Sequence, residues 1–214
     1  MTIPSAERKE SKCPECGKPK ELNSAFLHRQ YLFRRKVFTL LGRAFQVYDE
    51  TGNLVLYSRQ KPFRLREDFR VYSDETQSKE LLIIRTPQIL DIGATYGVQD
   101  ATTRKAVGAI RRMWLKSMLK DEWTLISHEG REIGKLTESS LAGALLSRFI
   151  NLVPQQYVIV ANGKQVAEIK QHFNPFILRY TMTITEEAPL IDRRLLIAAG
   201  ILLAGIERRQ KRSF

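Results

Sequence analysis

The chain has 214 residues, with 35 Lys and Arg against 23 Asp and Glu, a formal charge of +12 and an isoelectric point near 9.9. A hydrophobic content of 43% is enough for a sizeable core and excludes a disordered chain, while two cysteines exclude a secreted disulfide scaffold and three histidines leave little material for a catalytic metal centre. The opening MTIPSAERKE lacks the apolar run of a signal peptide, which predicts a cytoplasmic protein, and the positive excess predicts an anionic partner, either nucleic acid or an acidic lipid surface.

Residues 1–24 are polar and broken by Pro4, Pro14, Gly17 and Pro19, which predicts a flexible arm, then a folded body over 25–210 and a short basic tail over 211–214. Within the arm, Cys13-Pro14-Glu15-Cys16-Gly17-Lys18 has the form of one knuckle of a zinc ribbon, because a C-x-x-C turn lets two thiolates grip one metal. His28 is a candidate third ligand and no fourth is supplied. Zinc there requires dimerisation or a partner, and the alternative is a degenerate knuckle in a flexible arm. No βαβ pattern surrounds the pair to suggest redox chemistry.

From Ala25 onward one unit recurs: an aromatic anchor, alternating apolar residues, a polar turn, and a second β-rich run ending in a basic residue. The anchors are Phe45, Phe69, Tyr96, Trp123 and Tyr157, at intervals of roughly 24 to 34 residues. Each unit reads as strand, turn, strand. The turns carry Asp49/Gly52/Asn53, Asp74/Ser78, Asp100, Glu129/Gly130 and Asn162-Gly163, residues that accept the backbone of a tight hairpin, and the last pair is the strongest such signal. Two segments around 32–41 and the run FILRYTMTITEE (Phe176 to Glu187) bring the strands to about a dozen, compatible with a propeller, a sandwich or a closed barrel, although uneven spacing weighs against the propeller.

Two stretches depart from the alternation. SSLAGALLSRFINLV, from Ser139 to Val153, places Leu141, Ala144, Leu145 and Phe149 at helical spacing behind a Ser cap and stops at Pro154, which predicts a short amphipathic helix inserted between hairpins. LLIAAGILLAGI, from Leu195 to Ile206, is apolar on every side between charged flanks. It is shorter than the ~20 residues of a membrane span. Such a helix is buried in a core, laid in an interface or inserted in a bilayer. The economical arrangement threads it through a barrel of the preceding strands, with Leu195, Leu196, Ile197, Ile201, Leu202, Leu203 and Ile206 as core residues and its small residues permitting a tight fit.

The segments DETGNLVLY, WTLISHEGREIGKL, IKQHFNPFILRYTMTI and DRRLLIAAGILLAGIERR, in that order, resemble the tubby C-terminal-like superfamily, and within it the phospholipid scramblase and LURP-one-related branch. The resemblance covers about Tyr31 to Gln210. It implies a mainly β protein, a closed twelve-stranded antiparallel barrel enclosing a hydrophobic C-terminal helix, and an association with membrane lipid. Calcium dependence does not carry over. The region before the last helix offers only Glu186, Glu187 and Asp192, without the alternating oxygen donors of a calcium loop.

The basic residues nominate a binding face. Arg104 and Lys105 fall in a hairpin turn, and Arg111, Arg112, Lys116 and Lys120 punctuate a segment containing Met113, Trp114 and Met118. Basic heads beside an aromatic and apolar residues suit an acidic lipid interface; the plainer alternative is a strand with a solvated basic edge. The groups Arg34-Arg35-Lys36 and Arg208-Arg209-Lys211-Arg212 are read as decorating a strand start and the chain end. His128 and His172 are read as structural or surface residues. The chain carries no nucleophile elbow, phosphate loop, dinucleotide fingerprint or zinc-protease motif. The expectation is a non-catalytic, cofactor-free barrel peripheral to the membrane that binds anionic phospholipid. The alternative is a nucleic-acid or protein-binding module using the Cys13/Cys16 arm.

Overall fold

Period-two alternation of apolar residues builds twelve strands in the computed structural model, which describes residues 22–36, 43–60, 68–86, 94–113, 122–139, 154–172, 174, 177–185 and 191–210. They are β1 (Gln30–Arg35), β2 (Arg43–Tyr48), β3 (Leu54–Gln60), β4 (Asp68–Tyr72), β5 (Glu80–Arg85), β6 (Thr95–Asp100), β7 (Ala106–Met113), β8 (Glu122–Ser127), β9 (Glu132–Glu138), β10 (Gln156–Ala161), β11 (Lys164–His172) and β12 (Arg179–Ile184). Helix α1 (Arg193–Gln210) follows. Every strand pairs antiparallel with its neighbours in sequence, and β1 pairs with β12, so the sheet closes into a barrel without a free edge.

The five repeat units are the five hairpins β2–β3, β4–β5, β6–β7, β8–β9 and β10–β11. Their anchors Phe45, Phe69, Tyr96, Trp123 and Tyr157 are all buried in the interior. The turn at Asn162-Gly163 has both residues at positive φ, +49° and +75°, which is the twist a two-residue hairpin requires. Each hairpin also carries a register shift just before its turn, at Val47/Tyr48, Val71/Tyr72, Val98/Gln99, Leu125/Ile126 and Ile159/Val160. A bulge bends and twists its strand, and repeating it around the sheet supplies curvature for closure. Of the two strand segments expected around 32–41, the first is β1; residues 37–42 lie outside the described residues, as does the helix expected over Ser139 to Val153, apart from Ser139.

Helix α1 fills the barrel. Asp192 caps it, its Oδ1 accepting from the Arg194 N–H at 2.9 Å while its carbonyl accepts from Leu195 N–H at 2.9 Å. Leu195, Leu196, Ile197, Ile201, Leu202, Leu203 and Ile206 are all buried, as expected, and so are the intervening alanines. Small residues set how closely the wall approaches. A Cβ on Gly200 would lie 2.6 Å from Phe33 Cζ and 3.0 Å from Met182 Cε, and one on Gly205 would lie 2.9 Å from Phe69 Cε1. No described helix is long and apolar enough to cross a membrane. Upstream, Leu22, Ala25 and Phe26 pack against the same core, and Tyr31 Oη donates to the Ala25 carbonyl at 3.2 Å.

Candidate functional site

Meander connectivity gives the barrel two unlike ends. The five hairpin turns project from one, here the turn end, and the longer connections from the other, the loop end. Helix α1 enters at the turn end and runs toward the loop end.

The repeat pattern places strand-terminal arginines at the loop end: Arg34 and Arg35 finish β1, Arg59 nears the end of β3, Arg85 finishes β5, Arg111 and Arg112 near the end of β7, and Arg179 begins β12. Acidic residues are sparser among the described residues there, namely Asp68, Glu122 and Glu138. Asp68 is buried and held by Arg70, whose Nη2 donates to Asp68 Oδ2 at 3.0 Å and whose Nη1 donates to Glu80 Oε1 at 3.0 Å. Hydrogen bonding to Asp68, partly opposed by burial and aided by Glu80, raises the Arg70 pKa further above its ordinary range. Arg85 and Arg111 are exposed, and Met113 beside them is 41% exposed, one of the two large apolar side chains so placed among the described residues. Arg112 lies on the other face of β7, its guanidinium 5.3 Å from the centroid of the buried Trp123 ring.

The sequence-nominated basic face is therefore divided. Arg104 and Lys105 sit in the β6–β7 turn, at the turn end, while Arg111 and Arg112 sit at the loop end, roughly 20 Å away at about 3.3 Å per strand residue. Trp114, Lys116 and Lys120 lie outside the described residues. Arg34 and Arg35, read from the sequence as decoration, stand where β1 finishes, and β1 finishes in the same direction as β3, β5 and β7, which carry Arg59, Arg85 and Arg111 near their ends. The basic residue ending most units was the signal; only closure of the sheet shows that those endings converge.

At the turn end acids and bases are interleaved. Asp49 accepts from the backbone of Thr51 and Asn53. Asp74 is ringed by the hydroxyls of Ser73, Ser78 and Thr76, which hold its carboxyl well below the usual carboxylate range. Glu75 in the β4–β5 turn is paired at 2.8 Å with Lys36, the residue just past the end of β1, so this turn lies within side-chain reach of that strand's finish. Where α1 enters, Arg194 bridges two carboxylates, Nη1 to Asp100 Oδ2 at 2.6 Å and Nε to Asp192 Oδ1 at 2.9 Å. Arg193 Nη1 donates to the His28 carbonyl at 3.0 Å. Burial pushes the Asp100 carboxyl up, but the Thr103 backbone N–H and hydroxyl together with Arg194 outweigh it, so its pKa falls below the ordinary value. Beside this junction lies a cleft of about 560 Å³ between the β6–β7 turn, the β8–β9 turn and the start of α1.

Of the nominated metal ligands, Cys13 and Cys16 lie outside the described residues; the His28 ring faces Glu50, Nδ1 to Oε2 at 3.4 Å, and meets the Tyr31 ring edge-on. Among the described residues, no group of three or more His, Cys, Asp and Glu is placed to hold a metal ion. Glu186 and Glu187 lie outside them, and Asp192 is engaged by the helix cap and Arg194. His128 is exposed in the β8–β9 turn with Nε2 3.8 Å from Glu129 Oε1, and His172 Nε2 lies 2.6 Å from Thr181 Oγ1.

A family model described as LURP-one-related matches residues 29–204, from the residue before β1 to within the last turns of α1. No curated protein matches the chain.

Proposed function

The chain belongs to the LURP-one-related family, within the tubby-like superfamily, and from that membership we propose that it is a non-catalytic barrel that docks by its loop end on anionic membrane lipid. The observation that carries this reading is the convergence of strand-terminal arginines on one rim, with acids sparse beside them, in a chain of charge +12. Near an anionic leaflet each Lys or Arg contributes about 1 kcal/mol, so four or five facing the surface together give useful affinity without a deep pocket. Exposed Met113 adds an apolar contact, and Trp114, Lys116 and Lys120 extend the same basic and apolar group directly along the chain. The version in which α1 itself enters the bilayer to move lipid, as the scramblase resemblance implies, has less support, because that helix is enclosed by the wall on every side.

The test is co-sedimentation with neutral and anionic vesicles at low and high salt, with duplex nucleic acid as competitor. Salt-sensitive binding to anionic vesicles is expected, weakened at least tenfold by Arg85→Glu with Arg111→Glu. The same charge change at the turn end, Lys79→Glu with Arg104→Glu, is expected to leave binding unchanged. Equal losses in both variants remove the rim from the role. Displacement by duplex nucleic acid moves the assignment to the nucleic-acid alternative, for which a steep salt slope is the signature.

A further inference from the structure

We infer that the outer face of the seam between β1 and β12 holds a binding site for a phosphate dianion, free or carried as a monoester, gripped between Arg34 and Arg179. The inference rests on strand register and charge, and stands whether or not the loop end docks on lipid.

Register brings the two side chains together. Phe33 and Met182 point into the barrel against Gly200 of α1, so Arg34 and Arg179, at alternate positions, stand on the outer face directly opposite each other. The Arg35 N–H donates to the Leu178 carbonyl at 3.0 Å. That bond makes Arg34 and Arg179 a non-hydrogen-bonded pair, the kind whose Cα atoms are about 4.5 Å apart and whose side chains lie closest. Like charges so placed destabilise a ladder. Two guanidiniums across the seam that closes the barrel therefore call for something negative between them.

The protein supplies no such group. Among the described residues neither guanidinium forms an ion pair, and Arg179 Nε is buried without an acceptor. Residues 34–48 contain no Asp or Glu, and residues 139–185 contain only Glu168. The carboxylates that come near are already engaged, Glu75 by Lys36 at 2.8 Å and by the Gln46 amide, Glu168 by Lys170 at 3.1 Å. The charge of Arg34 and Arg179 is left uncompensated. Their outer neighbours across the ladder, Gln46 beside Arg34 and His172 beside Arg179, extend the row without adding an acid.

Two planar forks facing each other select a ligand with two charges and enough oxygens for both. A tetrahedral phosphate dianion meets that requirement. A carboxylate brings one charge and two oxygens, and chloride offers no second acceptor. Bound there, phosphate replaces repulsion with a bridge from the first strand to the last, so it binds the closed barrel in preference to the unfolded chain and stabilises it.

The test titrates the full-length protein with inorganic phosphate, with dihexanoyl phosphatidate below its micelle-forming concentration, and with chloride at matched ionic strength. The readouts are the arginine Nε–H resonances and the thermal midpoint. Both phosphates are expected to shift the Arg34 and Arg179 resonances saturably and to raise the midpoint, whereas chloride does neither. Equal affinities name the free phosphate group as the ligand; phosphatidate at least tenfold tighter names a lipid head group. Arg34→Gln and Arg179→Gln should each weaken phosphate at least tenfold, with a midpoint in phosphate-free buffer no lower than that of the wild type, because the like-charge pair is gone. Arg34→Lys, which keeps the charge and loses the fork, should fall between wild type and Arg34→Gln. Arg85→Glu with Arg111→Glu, the variant that tests docking, should leave phosphate affinity within twofold of wild type, so the two readings fail separately. Absence of saturable shifts, an equal response to chloride, or undiminished binding in both glutamine variants overturns the site.

Discussion

At Gly200 two residue-scale effects compete. Alanine improves helix propensity by about 1 kcal/mol. Its methyl, however, would lie 2.6 Å from the Cζ of Phe33, a ring held without exposure inside the barrel, and overpacking of that kind costs about 1–3 kcal/mol. Packing wins: Gly200→Ala is expected to lower stability in urea by about 1 kcal/mol. In a Phe33→Leu background the same change should become neutral or stabilising, a double-mutant coupling that a purely local helix effect would not produce. Tyr31 is a second single-residue test. Burial pushes its hydroxyl up to about 12, against a smaller opposing effect of Arg193. A group whose pKa is raised on folding contributes stability that is full below its unfolded value of about 10 and is lost as pH rises through the folded value. Tyr31→Phe is therefore expected to cost about 1 kcal/mol at neutral pH, leaving the Ala25 carbonyl without its donor, and yet to move alkaline unfolding to higher pH.

Among elements, α1 has the most to say, since it is core and latch together. Its apolar faces were legible in the sequence because no residue from Leu195 to Ile206 is charged; its latch was not, because Asp100 is distant in sequence from Arg194 and carries no local signal of that pairing. Asp100→Asn is expected to reduce stability by about 1 kcal/mol at neutral pH, Asp192 still holding the guanidinium. Because the Asp100 pKa is depressed on folding, its contribution is present above the ordinary carboxylate range and is lost as pH falls below about 4. The difference between wild type and variant should shrink over that interval in acid titrations followed by circular dichroism. The hairpins were equally legible from anchor aromatics and turn residues. The recurring bulges were not, since the extra residue at each is an ordinary strand former whose role is set by its partner across the ladder.

Among the described residues the sheet has no free edge and α1 is buried from Leu195 to Ile206, so no partial opening exposes that stretch without breaking strand pairing. Amides from Leu195 to Ile206 are expected to exchange with solvent only through global unfolding, at the free energy given by denaturant, while those of the five turns exchange faster by orders of magnitude. A subset of α1 amides exchanging with a much lower free energy would mean that the wall opens locally. Closure also explains why the candidate site was only half legible: Arg111 and Arg112 were identifiable from their aromatic and apolar neighbours, whereas Arg59 and Arg85 join them only through the sheet's tertiary order. Arg104 and Lys105 illustrate the converse. Close to Arg111 along the chain, they are carried to the other end by the length of one strand.

The seam between β1 and β12 sets a constraint on biosynthesis. Translation delivers the wall strand by strand, but the pairing that closes it joins the first strand to the last, and the plug arrives only afterwards. Until then the nascent wall has two unpaired borders and a hollow lined with aromatics. Ribosome-bound chains stopped before Arg193 are expected to recruit chaperones and to be cut readily by protease, with resistance appearing abruptly once α1 has cleared the exit tunnel. For this architecture, quality control is concentrated at the arrival of α1.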